Sequence, residues 1–210
     1  MTIDKTESPQ IYVACLASYN AGIHFGAWID ANQDPDDILE AITALVLRKS
    51  PSPNVMVTCP DCKGSGNDAE VDSNCPTCKG KGKVPSAEEW AIHGSEGFMG
   101  VAIGEHHDLE EISDLAEGIV NNGEAFAAYA NYVGPDHATV EDFQERYRGA
   151  FRSKEEWAEE FLTDTGAMAD MPQNLYHYFD FEKYARDCEL GRDVVFIEVD
   201  CGDVIVFDAH

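Results

Sequence analysis

Forty acidic residues against fourteen basic ones give this 210-residue chain a formal charge of −26, and no other feature bounds its fold so tightly. A soluble domain needs only about 2–8 units of net charge to stay dispersed. The excess opposes any compact state through self-repulsion. A hydrophobic content of 44% with 10% aromatics still supplies enough apolar surface for an ordered core. Gripping nucleic-acid phosphates or anionic lipid needs clustered Lys and Arg, which are scarce here. The balance therefore predicts neither a nucleic-acid nor a membrane partner.

Residues 1–10 are polar and read as a disordered tail, without the apolar stretch of a secretory signal. The longest apolar run, Ala41 to Leu47, is far below the roughly 20 residues that span a bilayer. Seven cysteines without an export signal suggest thiols in a reducing compartment. The expectation is a cytoplasmic protein.

The hydrophobic pattern predicts an α+β chain. Ile11 to Tyr19 reads as a buried strand, Asn20 to Gly22 as a turn, and Phe25 to Ile29 as a second strand. Asp34-Pro35 starts a helix on which Ile38, Leu39, Ile42, Leu45 and Val46 recur at helical spacing. A strand follows around Trp90 and Ile92, then helices over Leu109–Val120 and Glu124–Tyr132. Thr139 with Asp142 and Ser153 with Glu156 open two more helices, and Phe181–Leu190 forms another. Val194–Val199 and Val204–Phe207 flank Asp200-Cys-Gly-Asp203 as a closing hairpin. The predicted domains are an N-terminal α+β domain over 11–98 with an insertion at 51–85, a helical middle domain over 99–150, and a C-terminal α+β domain over 151–210.

The insertion repeats one phrase: Cys59-Pro-Asp-Cys62-Lys-Gly64-Ser-Gly66 and Cys75-Pro-Thr-Cys78-Lys-Gly80-Lys-Gly82. Two CxxC knuckles supply four thiolates for one tetrahedral Zn2+, and the glycines let the backbone turn its amides toward the sulfurs. Cys59, Cys62, Cys75 and Cys78 would fill every position, which makes the zinc structural. A disulfide-linked loop and a redox CxxC pair are the alternatives; the latter normally opens a helix after a strand. The repeats resemble the zinc region of J-domain chaperones, which carries four such repeats. No His-Pro-Asp tripeptide is present, so chaperone function does not follow. Cys59 to Lys83 holds four acids and four bases, leaving 36 acids and 10 bases for the rest of the chain.

No catalytic constellation stands out, and the chain reads as a non-enzyme. The histidines are scattered apart from His106-His107, and Cys15, Cys188 and Cys201 read as small core residues. The arrangement of acids is more informative. Trp157, Ala158, Phe161 and Leu162 form an apolar helix face, while Glu155, Glu156, Glu159, Glu160 and Asp164 occupy the rest. Like charges at i, i+4 cost a few tenths of a kcal/mol per pair. Asp108, Glu110, Glu111, Asp114 and Glu117 repeat the theme on one helix, and Glu141, Asp142 and Glu145 on another. Three readings compete: an ordinary solvated face, a halophile-type surface, and a surface imitating the phosphates of DNA. Two copies would carry twice 26, or 52, excess charges. That matches about 26 base pairs, or about 90 Å of duplex, a length that an elongated dimer could present and a compact globule could not.

Several phrases are similar to the ArdA antirestriction proteins. They are Ile11 to Asn20, Gly26-Ala-Trp-Ile-Asp30, Glu89-Trp-Ala-Ile-His93 with Glu96-Gly-Phe98, Glu145 to Glu160 with Thr165-Gly166, Met171 to Asp180, and Tyr184-Ala-Arg-Asp187. The resemblance implies an elongated three-domain α+β protein that dimerises, mimics bent B-form DNA and inhibits type I restriction-modification enzymes by occupying their DNA groove. It also implies coding on mobile elements. The cysteine insertion departs from many members of that family. A zinc-ribbon interaction protein or chaperone accessory with incidental acidity is the rival expectation.

Overall fold

A computed structural model describes residues 8–67, 73–199 and 202–209. Residues 1–7 of the expected 1–10 tail, the acids Asp68, Glu70 and Asp72, and Asp200 and Cys201 in the hairpin lie outside them, while Gln10 already belongs to the first strand. The fold is mixed α+β, with eight α-helices and eight strands in small antiparallel sheets among the described residues. The chain forms two compact units, one running to Phe98 and including Ala102–Val120, the other holding Met99–Val101 and the chain from Asn121 on. Among the described residues no helix is long and apolar enough to cross a membrane.

In the first unit β1 (Gln10–Cys15) lies between β2 (Gly26–Asp30) and β5 (Trp90–Glu96). Its Ile11, Val13 and Cys15 are fully buried, as expected of a central strand. The strand predicted to reach Tyr19 stops at Cys15, because Leu16–Asn20 is a helix, α1. Buried polar contacts fix the break: the Ser18 and Ser50 hydroxyls lie 2.9 Å apart, and the Cys15 thiol donates to Ser50 at 3.2 Å. A continuing strand would turn Ser18 away from that pair.

Helix α2 (Pro35–Ile42) begins as its sequence dictates, with the Asp34 carboxylate accepting from the Asp36 amide at 2.9 Å. It runs into a wider π turn at Thr43–Leu47, closed by the Arg48 amide on the Thr43 carbonyl. Four residues of ordinary helix overshoot a full turn by about 40°. The wider turn takes that drift back, so Ile38, Ile42 and Val46 all point inward and are fully buried. Leu39 and Leu45, expected on the same face, are exposed. A two-stranded ribbon, β3 (Val55–Thr58) with β4 (Lys83–Ser86), carries the cysteine segment at its end. Helix α3 (Leu109–Asn122) buries Ile112, Leu115, Ala116 and Ile119.

The second unit holds α4 (Glu124–Val133), α5 (Val140–Arg146), β6 (Tyr147–Phe151), α6 (Lys154–Asp164), α7 (Gln173–Tyr176), α8 (Phe181–Gly191), β7 (Val194–Glu198) and β8 (Val204–Asp208). The sheet order is β6-β8-β7. β8 is buried on both faces. Val204 and Val206 pack with Trp157, Ala158, Leu162, Phe181 and Ala185 of α6 and α8. Phe207, on the opposite face, lies 5.2 Å from the Tyr129 ring and 5.9 Å from Phe143, on α4 and α5. The sequence pattern predicts no strand at Tyr147–Phe151, and this strand straddles the expected division at residue 150.

Candidate functional site

The four cysteines close the end of the β3–β4 ribbon with an approximate two-fold symmetry. The Cys59 amide donates to the Gly82 carbonyl at 2.9 Å, and the Cys75 amide donates to the Gly66 carbonyl at 2.8 Å. Each knuckle thereby hands the amide of its first cysteine to the last glycine of the other. Each also aims an amide at its own second sulfur, Gly66 N–H to Cys62 at 3.3 Å and Gly82 N–H to Cys78 at 3.2 Å. The glycines are required by contact: a Cβ on Gly66 would meet the Gly80 carbonyl oxygen at 2.6 Å, and one on Gly82 the Gly64 oxygen at 2.4 Å.

All four sulfurs fall within 4.8 Å of one another, with Cys59–Cys75 at 3.9 Å and Cys62–Cys78 at 3.6 Å. Thiolates placed about 2.3 Å from a zinc ion form a tetrahedron with edges of about 3.8 Å. The donor set therefore fits a four-sulfur metal centre, and all four cysteines are free thiols. Their protonation is uneven. Desolvation raises the Cys62 thiol, but the Gly66 amide and the Cys78 and Cys59 thiols outweigh it and bring the pKa down to about 6. For Cys75 the Cys78 amide lowers the pKa, while desolvation and the Cys78 and Cys59 thiols push it up to about 11. Lys63, Lys79, Lys81 and Lys83 are exposed around this centre.

The acids divide into those the fold uses and those it does not. Of the thirteen predicted surface carboxylates, Asp108, Glu110, Asp114, Glu117, Glu141, Asp142, Glu145, Glu155, Glu159, Glu160 and Asp164 are exposed, and Glu111 and Glu156 are half-buried. Asp108 caps α3, accepting from the Glu110 amide at 2.8 Å. Glu111 lies 3.4 Å from the His107 imidazole. Glu156 belongs to the expected cap: its amide donates to the Ser153 hydroxyl at 3.1 Å. Its carboxylate, however, takes the Arg152 amide at 2.7 Å and pairs with the Arg152 guanidinium. Those bonds hold the Glu156 carboxyl below the usual range and raise the Arg152 pKa. Glu156 is thus the predicted surface acid whose charge an arginine already answers.

Glu110, Glu111, Glu141, Asp142, Glu155 and Glu156 sit in first turns, where the helix dipole favours negative charge. The stability cost expected from like-charge pairs is partly offset there. It is not offset at Glu160 in mid-helix, nor at Glu145 and Asp164, which occupy the last turns of α5 and α6. Glu159 accepts from the Tyr176 hydroxyl at 2.9 Å.

One acidic group is visible only in the folded chain. Asp30, Asp34, Asp36, Asp37 and Glu40 are exposed on β2 and α2. The Ser113 hydroxyl of α3 donates to the Gln33 carbonyl at 2.8 Å, which brings the start of α2 beside the Glu110–Glu117 segment. Asp34 and its neighbours read in sequence only as a helix start, and the partner lies 80 residues away.

Compared with known proteins, residues 11–201 match the family model described as Antirestriction protein (ArdA). No curated protein matches the chain.

Proposed function

The chain belongs to the ArdA antirestriction family, and from that premise we propose that it inhibits type I restriction-modification enzymes in the cytoplasm by standing in for B-form DNA in their binding groove. The inhibitor is a homodimer with 52 excess negative charges, twice the 26 of one chain. The observation that carries this reading is the placement of exposed carboxylates where they cost stability, at Glu145, Glu160 and Asp164. A surface acid with no function at a helix C-terminus is readily replaced by a lysine that the dipole favours.

No bond is made or broken in this mechanism. Carboxylates on α3, α5 and α6, joined by Asp34, Asp36 and Asp37, take the places of phosphates and meet Lys and Arg of the groove. Bases are not imitated, so enzymes that read different sequences should be inhibited at comparable doses. Binding weakens as salt screens the charges.

Cys59, Cys62, Cys75 and Cys78 hold a structural Zn2+, whose role is to fix the two knuckles in one geometry. Its four bases balance its four acids, so the module adds no net side-chain charge to the mimic surface and instead braces the N-terminal part.

Displacement of a labelled target duplex from a purified type I methyltransferase, followed through a salt series, tests the reading. Stoichiometric displacement that fades with salt is expected. A folded, zinc-loaded protein that displaces nothing at low salt would refute it. Replacing Cys59 and Cys75 with serine separates the rival interaction-protein reading, which requires all function to be lost with the metal.

A further inference from the structure

Along α6, Trp157, Glu160, Phe161 and Asp164 recur at the i, i+3, i+4, i+7 spacing, so two rings and two acids share one stripe of the helix. The rings stack, with centroids 5.2 Å apart and planes inclined by 19°. Trp157 is buried and Phe161 is 41% exposed, so the outer ring meets solvent with a packed ring behind it. The stripe lines a cavity of about 150 Å3, to which Val194 of β7 adds a further apolar wall. Pockets for drug-sized ligands begin at about 300 Å3. This one has room for the end of a single side chain.

The charge of the cavity is largely unanswered. Asp208, on its rim, is taken by Arg148 through Nε at 2.9 Å and through a terminal nitrogen. Glu160 and Asp164 are exposed, and among the described residues neither has a hydrogen bond or an ion pair. They repel one another at i, i+4, and Asp164 also sits at the negative end of its own helix. A cation lodged here would relieve both costs.

The walls select among cations. A hard divalent metal asks for about six oxygen ligands, and no metal-binding group among the described residues includes Glu160 or Asp164. An ammonium is a compact, strongly hydrated charge that gains little from an aromatic wall. A guanidinium is planar and weakly hydrated, stacks on rings and forks onto carboxylates. The two-pronged grip of Arg148 on Asp208 is the same chemistry on the same rim.

We infer that this cavity is a socket for one arginine side chain of the target enzyme's groove, its guanidinium stacked on Phe161 and bonded to Glu160 and Asp164. Arrayed negative charge attracts lysine and arginine alike. The ring adds a preference for arginine that charge alone does not supply. The inference rests on the groove-binding reading above and specifies one of its contacts.

Two variants of the zinc-loaded chain test it. Phe161→Leu replaces an exposed ring and leaves the net charge at −26, while Phe161→Tyr keeps the ring. Phe161→Leu should weaken displacement of a labelled duplex from the methyltransferase about two- to fivefold, the 0.5–1 kcal/mol of an exposed cation–π contact. Its salt dependence should not change, because no charge is lost. Phe161→Tyr should match the wild type. A second measurement needs no enzyme. In NMR titrations of the wild type at equal ionic strength, the Trp157 and Phe161 ring signals should report N-acetyl-arginine amide binding at least about twofold tighter than N-acetyl-lysine amide. Unimpaired displacement by Phe161→Leu, with no preference for arginine, would overturn the socket and leave the groove-binding reading standing. Equal loss in the leucine and tyrosine variants would assign Phe161 to packing on Trp157 and overturn it too. A wild type that displaces nothing would refute the groove-binding reading and, with it, the enzyme as the occupant.

Discussion

The cysteine module and the acidic helices are specified in opposite ways. In the module each position has a single geometric role, with four sulfurs within 4.8 Å of one another and two glycines each pressed on the other knuckle's carbonyl. On the helices four of the thirteen carboxylates, Asp108, Glu111, Glu156 and Glu159, are held by a hydrogen bond or a charged neighbour, and the other nine are simply exposed. A bond network fails when one member is removed, whereas a field made of many weak charges fades in proportion. The protein thus combines a part that is exact with a part that is additive.

Cys59→Ser with Cys75→Ser gives the sharpest break. Structural zinc in such sites is worth about 10–16 kcal/mol, so metal content should fall to zero, while duplex displacement stays within about threefold of wild type. Equal loss of both would join the two regions and sink the comparison. Next in size, Gly66→Ala or Gly82→Ala should cost about 1–3 kcal/mol in zinc-loaded stability, read by competition with a chelator. An unchanged affinity would mean that the carbonyl contact is dispensable. Amide replacements at Glu117, Glu145, Glu159, Glu160 and Asp164 should each weaken displacement by about 0.2–1 kcal/mol and add nearly linearly. A collapse at the first replacement would make one residue a hot spot and break the additive picture. Asp164→Asn alone should raise thermal stability by about 0.3–1 kcal/mol, because it removes an acid from a helix C-terminus; destabilisation would mean that the carboxylate has a structural partner.

The smallest effect concerns pH. The hydrogen bond from Arg152, aided by its charge, holds Glu156 below the ordinary carboxylate value of about 4.3. A depressed folded pKa stabilises fully above the unfolded value and is lost as pH falls through the folded one. The stability gap between wild type and Glu156→Gln should therefore be constant near neutrality and close only below about pH 4. A gap that persists in stronger acid would assign it to packing.

What the sequence makes legible follows the range of the cause. Asp34, Thr139 and Ser153 cap their helices as their neighbours dictate, within three residues, and the CxxCxGxG spacing places four sulfurs together. β6 is illegible because Tyr147-Arg-Gly-Ala-Phe151 has no clean alternation and its partner Phe207 lies 60 residues on. The helix at Leu16–Asn20 is hidden for a similar reason: the Ser50 hydroxyl that fixes Ser18 is 32 residues away. Among the acids, sequence identifies the carboxylates but not which are already engaged. Only coordinates separate Glu156, bound to Arg152, from Asp164.

The burial of β8 on both faces has a consequence for the order of assembly. The strand that fills the middle of its sheet is the last of the eight in chain order. Until residues 204–208 leave the ribosome, α4 and α5 lack the Phe207 ring, and α6 and α8 lack Val204 and Val206. At about 5–20 residues per second, the span from Glu124 to Asp208 takes about 4–17 s to emerge. Through that interval α6 and α8 can pack on each other, as can the rings of α4 and α5, but the surfaces that β8 covers stay open until the last strand arrives.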